Sequence, residues 1–317
     1  MITNRKAIIF GLKGYYLYDN EKIFFKKNKP WGIILFSRNI KNIQQLKKLI
    51  NQIKKNQKDK NFPILIDQEG GRVCRLNNII NLTYFSQEFF GKLYNLDKKL
   101  FYDLYNLYVD KVCSIFNYVG ININTVPVLD VRRKKSHTII GNRSFSKNPS
   151  HVSKLGSICV NLFKKNKIAT VIKHIPGHGL ATSDSHFKTP IIKTKKKVLI
   201  KNDFKPFKNN KSFFAMTAHI IYSSYDSKNT ATHSKIIIQN IIRKHIKFKG
   251  LLISDDISMK SLKYSLEKNA LLAIKSGCNL ILHCNGKMNE MRRIAKVVPN
   301  IDKFTIKKTS HFYNFLI

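Results

Sequence analysis

Residues 171–190 read VIKHIPGHGLATSDSHFKTP and concentrate side chains that can move protons. An apolar run, 168–172, meets Lys173 and His174 side by side, and Pro176, Gly177 and Gly179 then stop any regular element. The polar loop that follows carries His178, Asp184, Ser185 and His186. Asp184 lies two residues from His186, so its carboxylate can hold one imidazole nitrogen and leave the other free to exchange a proton. The competing reading is a surface loop with incidental histidines, since loops are polar in general. His174 and His178 also have the four-residue spacing of a helical zinc pair. Pro176 and Gly177 lie between them, so the segment is not helical and that spacing argues for no metal.

A second acid stands in LLISDDISM, where Asp255 follows an apolar run. Such a carboxylate is expected to be ionised, oriented and partly shielded from water. It can attack an acetal carbon or stabilise an oxocarbenium-like transition state. The Asp184–Ser185–His186 element could then supply the general acid, with the aspartate raising the imidazole's basicity. Asp67, Arg75, Arg143, Lys173 and His174 would bind sugar hydroxyls through charge-assisted hydrogen bonds. Arg75 and Arg143 are equally compatible with structural ion pairs.

These residues need elements to position them. Short apolar runs at 7–12, 32–36, 63–66, 121–129, 168–172, 213–217, 251–253 and 279–282 read as eight strands. Helical patterns follow most of them, at 42–55, 86–118, 151–165, 234–245, 261–275 and 289–298, with a closing helix over 302–317. Ser150 reads as the N-cap of the helix from 151. The alternation predicts an α/β fold, a single (β/α)8 TIM-type barrel occupying residues 1–317 as one domain. Asp67, His174, His219 and Asp255 each fall just past the C-terminal end of a strand, and in such a barrel those ends converge on one mouth.

Composition limits the classes further. Lys and Arg total 58 against 18 Asp and Glu, a formal charge of +40. That excess raises a nucleic-acid or anionic-surface role. The lysines, however, run along the whole chain, and Lys far outnumbers the Arg that bidentate recognition favours. Lys, Asn, Ile, Phe and Tyr are enriched together and share AT-rich codons, so base bias accounts for the excess and no specific nucleic-acid partner is expected. Five widely spaced cysteines without a CxxC pattern fit reduced thiols. No signal-like h-region or bilayer-length apolar stretch is present, which leads to the expectation of a cytoplasmic, monomeric protein without a membrane partner.

With the motifs assembled, the chain resembles family 3 glycoside hydrolases of the bacterial β-N-acetylhexosaminidase type, the enzymes of peptidoglycan recycling. The segments that carry the resemblance are GIILFSRN (32–39), ILIDQEGGRVCRL (64–76), PVLDV (127–131), IGNRSF (140–145), KHIPGHG with DSH (173–186), AHIIYS (218–223) and GLLISDDISM (250–259). The resemblance implies a retaining mechanism with Asp255 as nucleophile and His186, paired with Asp184, as general acid and then base. It places Asp67, Arg75, Arg143, Lys173 and His174 at substrate-binding positions and implies no metal or organic cofactor. The implied substrate is a muropeptide or related amino sugar with a terminal β-linked N-acetylglucosamine. The same fold could instead serve a β-glucosidase or a phosphorylase, because a histidine acid carries no negative charge to repel phosphate. At Gly11, where relatives often carry an acid, the sequence departs from the pattern.

Overall fold

The computed structural model describes residues 2–133, 138–181, 183–185 and 187–317. Its strands are β1 (Lys6–Gly11), β2 (Pro30–Leu35), β3 (Ile64–Ile66), β4 (Ile123–Asn124), β5 (Ala169–Ile175), β6 (Ile191–Ile192), β7 (Phe214–Thr217), β8 (Ile221–Tyr222), β9 (Leu251–Asp256) and β10 (Leu280–His283). Eight of them close a barrel in the order β1-β2-β3-β4-β5-β7-β9-β10, with every neighbouring pair parallel. The short β6 and β8 pair with each other outside it. Because a strand in a closed parallel sheet is covered on both faces, these segments read as continuous apolar runs rather than alternating ones. The expected (β/α)8 architecture is therefore the one observed.

The helices are α1 (Asp19–Asn28), α2 (Ile43–Gln57), α3 (Gln87–Leu96), α4 (Lys98–Val119), α5 (Pro149–Lys165), α6 (Lys196–Lys201), α7 (Leu266–Ser276), α8 (Met288–Val297) and α9 (Lys303–Leu316). A π-helical segment, Ile237–His245, fills the position between β8 and β9. In α2 the residues at helical spacing, Leu46, Leu49, Ile50 and Ile53, are the buried ones. Asn42 caps that helix by accepting from the Gln45 N–H at 2.8 Å.

Three local details differ from the sequence reading. The helix before β5 is capped by Asn148, whose Oδ1 accepts from Ser150 N–H at 2.8 Å, with Pro149 as the first helical residue. Ser150 is thus inside the helix. Residues 86–118 split into α3 and α4 at Asp97, which caps α4 through Leu100 N–H at 3.0 Å. The helix α1 was not anticipated; only Phe24, Phe25 and Glu21 of it are buried, too few to leave a helical period in the sequence.

The N-terminal end of the barrel is sealed by α9. Phe312 meets Phe214 of β7 with ring centroids 5.4 Å apart and Trp31 of β2 at 6.4 Å. The Trp31 indole N–H donates to Thr309 Oγ1 at 2.9 Å. The opposite end is left to the loops. There α3 lies against the segment after β4 so closely that a Cβ added to Gly91 would stand 1.8 Å from the Phe145 carbonyl oxygen.

Candidate active site

At the C-terminal end of the barrel a cavity of about 170 Å³ is bordered by Asp67, Arg75, Arg143, Lys173, His174 and Asp255. Six of the eight residues singled out from the sequence thus share one wall system. They arrive from four strand ends: Asp67 and Arg75 after β3, Arg143 after β4, Lys173 and His174 on β5, and Asp255 on β9. Met216, Met259 and Leu282 supply apolar surface to the same cavity.

The ionic network on one side is closed. Lys173 is buried and directs its ammonium to Asp67 Oδ1 at 2.5 Å, Glu69 Oε1 at 2.6 Å and Thr125 Oγ1 at 3.1 Å. The Asp67 and Thr125 contacts are hydrogen bonds, and Glu69 completes the set as an ion pair. Asp67 also accepts from Thr125 Oγ1 at 2.6 Å and from Arg75 at 2.9 Å. Burial alone would push the Asp67 carboxyl up, yet Lys173, Arg75 and Arg143 together hold it far below the usual carboxylate range. Glu69, itself buried, receives two parallel bonds of 2.8 Å from Arg143 Nε and NH2. The same opposition of burial against Arg143 and Lys173 leaves its carboxyl lowered. Arg75 keeps a buried Nε–H without a hydrogen-bond partner among the described residues.

The other side is built on Asp130. Its carboxylate is wholly buried and accepts from the His178 N–H at 2.6 Å, from the His174 N–H at 3.2 Å and from His174 Nδ1 at 2.7 Å. This fixes the tautomer of His174 with the proton on Nδ1 and turns Nε2 toward Asp255, whose Oδ2 is 4.0 Å away. Asp255 Oδ1 accepts from the following Asp256 N–H at 2.8 Å. His178 is buried, which lowers it to about 4, so its ring is neutral; Nε2 meets Ser185 Oγ at 3.2 Å.

Glu69 and Asp130 are the residues that the sequence reading passed over. Glu69 was visible inside DQEGGR, and Asp130 at the end of a strand, but neither borders the cavity. Their importance lies in whom they hold, which no spacing displays. His219 behaves differently from expectation. It sits at a strand end but is buried behind the wall, donating Nε2–H to the Asp256 carbonyl at 3.1 Å with Nδ1 at 2.7 Å from Thr232 Oγ1. Burial lowers its pKa, and it serves as a neutral strut under Asp255–Asp256. Asp184 is half-buried in the loop after β5, within the field of Arg72, and does not border the cavity; its carbonyl accepts from the Phe187 and Lys188 N–H groups. His186 lies outside the described residues. Among the described residues no group of three or more His, Cys, Asp or Glu side chains could hold a metal ion, and no helix is long and apolar enough to cross a membrane.

A carboxylate at a barrel mouth, faced by an oriented imidazole and a wall of paired charges, is an arrangement suited to polyhydroxylated substrates. The sequence match decides the family: residues 17–309 fit the model described as the glycosyl hydrolase family 3 N-terminal domain. The chain belongs to glycosyl hydrolase family 3. Its similarity extends to a β-hexosaminidase of Haemophilus influenzae, 30% identical over 301 residues that cover 93% of this chain and 83% of that protein. A β-hexosaminidase of Idiomarina loihiensis is 34% identical over 274 residues, covering 84% and 80%. Among solved structures, NagZ from Neisseria gonorrhoeae in complex with N-trifluoroacetyl-D-glucosamine superimposes with a TM-score of 0.87 at 27% identity, over 98% of this chain and 90% of that one.

Proposed function

We propose that this family 3 glycoside hydrolase is a retaining β-N-acetylhexosaminidase that releases terminal β-linked N-acetylglucosamine from 1,6-anhydro-muropeptides in peptidoglycan recycling. The whole chain works as one barrel domain, monomeric and cytoplasmic, and the reaction uses no cofactor. The observation that carries the reading is the Asp255 carboxylate at the end of β9, bordering the same cavity as the paired Asp67, Lys173 and Arg143.

In the first step an Asp255 oxygen bonds to the anomeric carbon as the glycosidic C–O bond breaks, and His186 gives its proton to the departing oxygen. In the second step His186, held by Asp184, takes a proton from water; the water oxygen bonds to the anomeric carbon and Asp255 leaves as carboxylate. His174, oriented by Asp130, stands beside the nucleophile, where its Nε2 can accept from a sugar hydroxyl. Arg75, Arg143, Lys173 and Asp67 face the other hydroxyls and the acetamido group. The similarity to β-hexosaminidases supports the sugar class, and the placement of Asp255 supports the nucleophile.

The test is a quench of the protein with a slow fluorinated N-acetylglucosaminyl donor, followed by peptide mass spectrometry. A glycosyl adduct on Asp255, together with loss of aryl β-N-acetylglucosaminide turnover in Asp255→Ala and His186→Ala, is the expected result. Wild-type-like turnover in either variant would overturn the assignment.

A further inference from the structure

Behind the loop that follows β5 lies a carboxyl group that the reaction does not use. Asp203, between α6 and the turn Lys205–Phe207, is fully buried, and neither of its oxygens has a hydrogen-bond partner among the described residues. Its backbone and Cβ pack on Gly177, where the chain leaves β5. Gly177 has φ +140°, and a Cβ there would stand 2.7 Å from the Asp203 carbonyl oxygen and 2.9 Å from its Cβ. The Gly177 carbonyl in turn accepts from the Tyr222 hydroxyl. On the far side of Asp203, Arg133 NH2 approaches Oδ2 to 3.8 Å, within ion-pair range but too far for a hydrogen bond. Two residues before Arg133, the Val131 carbonyl presses on the same loop, 2.1 Å from where a Cβ on Gly179 would be.

We propose that Asp203 is a positioning residue that ties the segment ending at Arg133 to the Pro176–Gly179 turn, and so sets the placement of the loop bearing Asp184. The inference rests on the hexosaminidase reading for its kinetic consequence only. A buried carboxylate without hydrogen bonds is costly, so the group is stable as the neutral acid and becomes an anion only if Arg133 closes on it. Among the described residues the groups that face it are Arg133 and Asp130 from the segment after β4 and Tyr222 from β8; Gly177 contributes backbone alone. Burial raises the carboxyl to about 7, against the pull of Arg133 and with the repulsion of Asp130. Its charge therefore changes near neutrality, and ionisation draws Arg133, with the strand of chain that presses on Gly179, toward Gly177.

The experiment compares pH profiles of kcat and KM for wild type, Asp203→Asn and Arg133→Gln on an aryl β-N-acetylglucosaminide. Wild type is expected to show an inflection in kcat near pH 7, with kcat falling toward lower pH and KM little changed. Asp203→Asn, fixed in the neutral form, should lack the inflection and hold the low-pH kcat throughout. Arg133→Gln, which removes the attracting cation, should move it upward. A wild-type inflection retained unchanged in Asp203→Asn overturns the proposal.

Melting temperatures from pH 5 to 8 give a readout independent of turnover. The folded-state pKa of Asp203 is raised, so its stabilising contribution is lost as pH rises through about 7. Asp203→Asn should gain on wild type by roughly 4 °C over that range. A difference that does not change with pH overturns the proposal even if the enzyme proves to cleave another sugar, whereas absent turnover with the pH-dependent difference intact sinks only the hexosaminidase reading.

Discussion

Replacing Glu69 by Gln keeps its volume and removes the charge on which Arg143 and Lys173 converge. In the structure Arg143 makes two bonds of 2.8 Å to this carboxylate and Lys173 approaches it to 2.6 Å, all in a buried setting. Removing one partner of a buried pair costs about 3–5 kcal/mol because the remaining charge has no compensation. Lys173 keeps Asp67 at 2.5 Å, so the expected loss lies at the lower end, about 3 kcal/mol. With about 2.1 cal/mol/K of unfolding entropy per residue over 317 residues, that corresponds to a fall in melting temperature of about 4–5 °C. Arg143 would also lose the fork that orients it toward the cavity, so KM for the aryl N-acetylglucosaminide should rise about tenfold, equivalent to about 1.4 kcal/mol. Differential scanning calorimetry and steady-state kinetics read the two effects. A variant that melts within about 1 °C of wild type and keeps its KM would refute the view that Glu69 organises the wall.

Two further outcomes follow from the packing and the charges. Gly91→Ala gains about 1 kcal/mol of helix propensity, but its methyl would lie 1.8 Å from the Phe145 backbone oxygen. The clash should prevail, with a net loss of about 2 kcal/mol in urea titration, and a stabilised variant would show that α3 is not held where described. Asp130 is lowered despite its burial, because His174 and His178 favour its anion. A depressed folded-state pKa gives stability that is present above the unfolded value, about 3.9, and is lost as pH falls through the folded one. Asp130→Asn should therefore be less stable than wild type at pH 6, with the gap narrowing toward pH 2; a gap independent of pH would sink this account.

The barrel was legible because its parallel strands are covered on both faces, which writes each as a short apolar run. Asp67, His174 and Asp255 were legible for a related reason: a polar residue that interrupts such a run marks the strand end. What was not legible is anything set by side-chain reach. β4 pairs over only Ile123 and Asn124 before the chain turns irregular, and the Leu129 N–H then bonds to the Lys173 carbonyl at 2.7 Å. That detour delivers Asp130 beneath His174, and no periodicity announces it. The same limit explains His219, whose position at a strand end matches the others while its ring points behind the wall to Asp256. Asn148 and Ser150 are both good capping residues, and choosing between them depended on where Pro149 could fit as the first helical residue.

Lys173 borders the cavity, yet its ammonium is already hydrogen-bonded to Asp67 and Thr125 and ion-paired with Glu69. A hydroxyl that reaches it must take the place of one of these. Recognition on that face is an exchange, in which the displaced carboxylate oxygen needs a new donor at once, and the incoming hydroxyl can be that donor only if its hydrogen points the right way. The face thus reads the configuration of a carbon–oxygen bond more strongly than it rewards the presence of one, and epimers of the sugar should separate by selectivity far more than the parent compound gains in affinity.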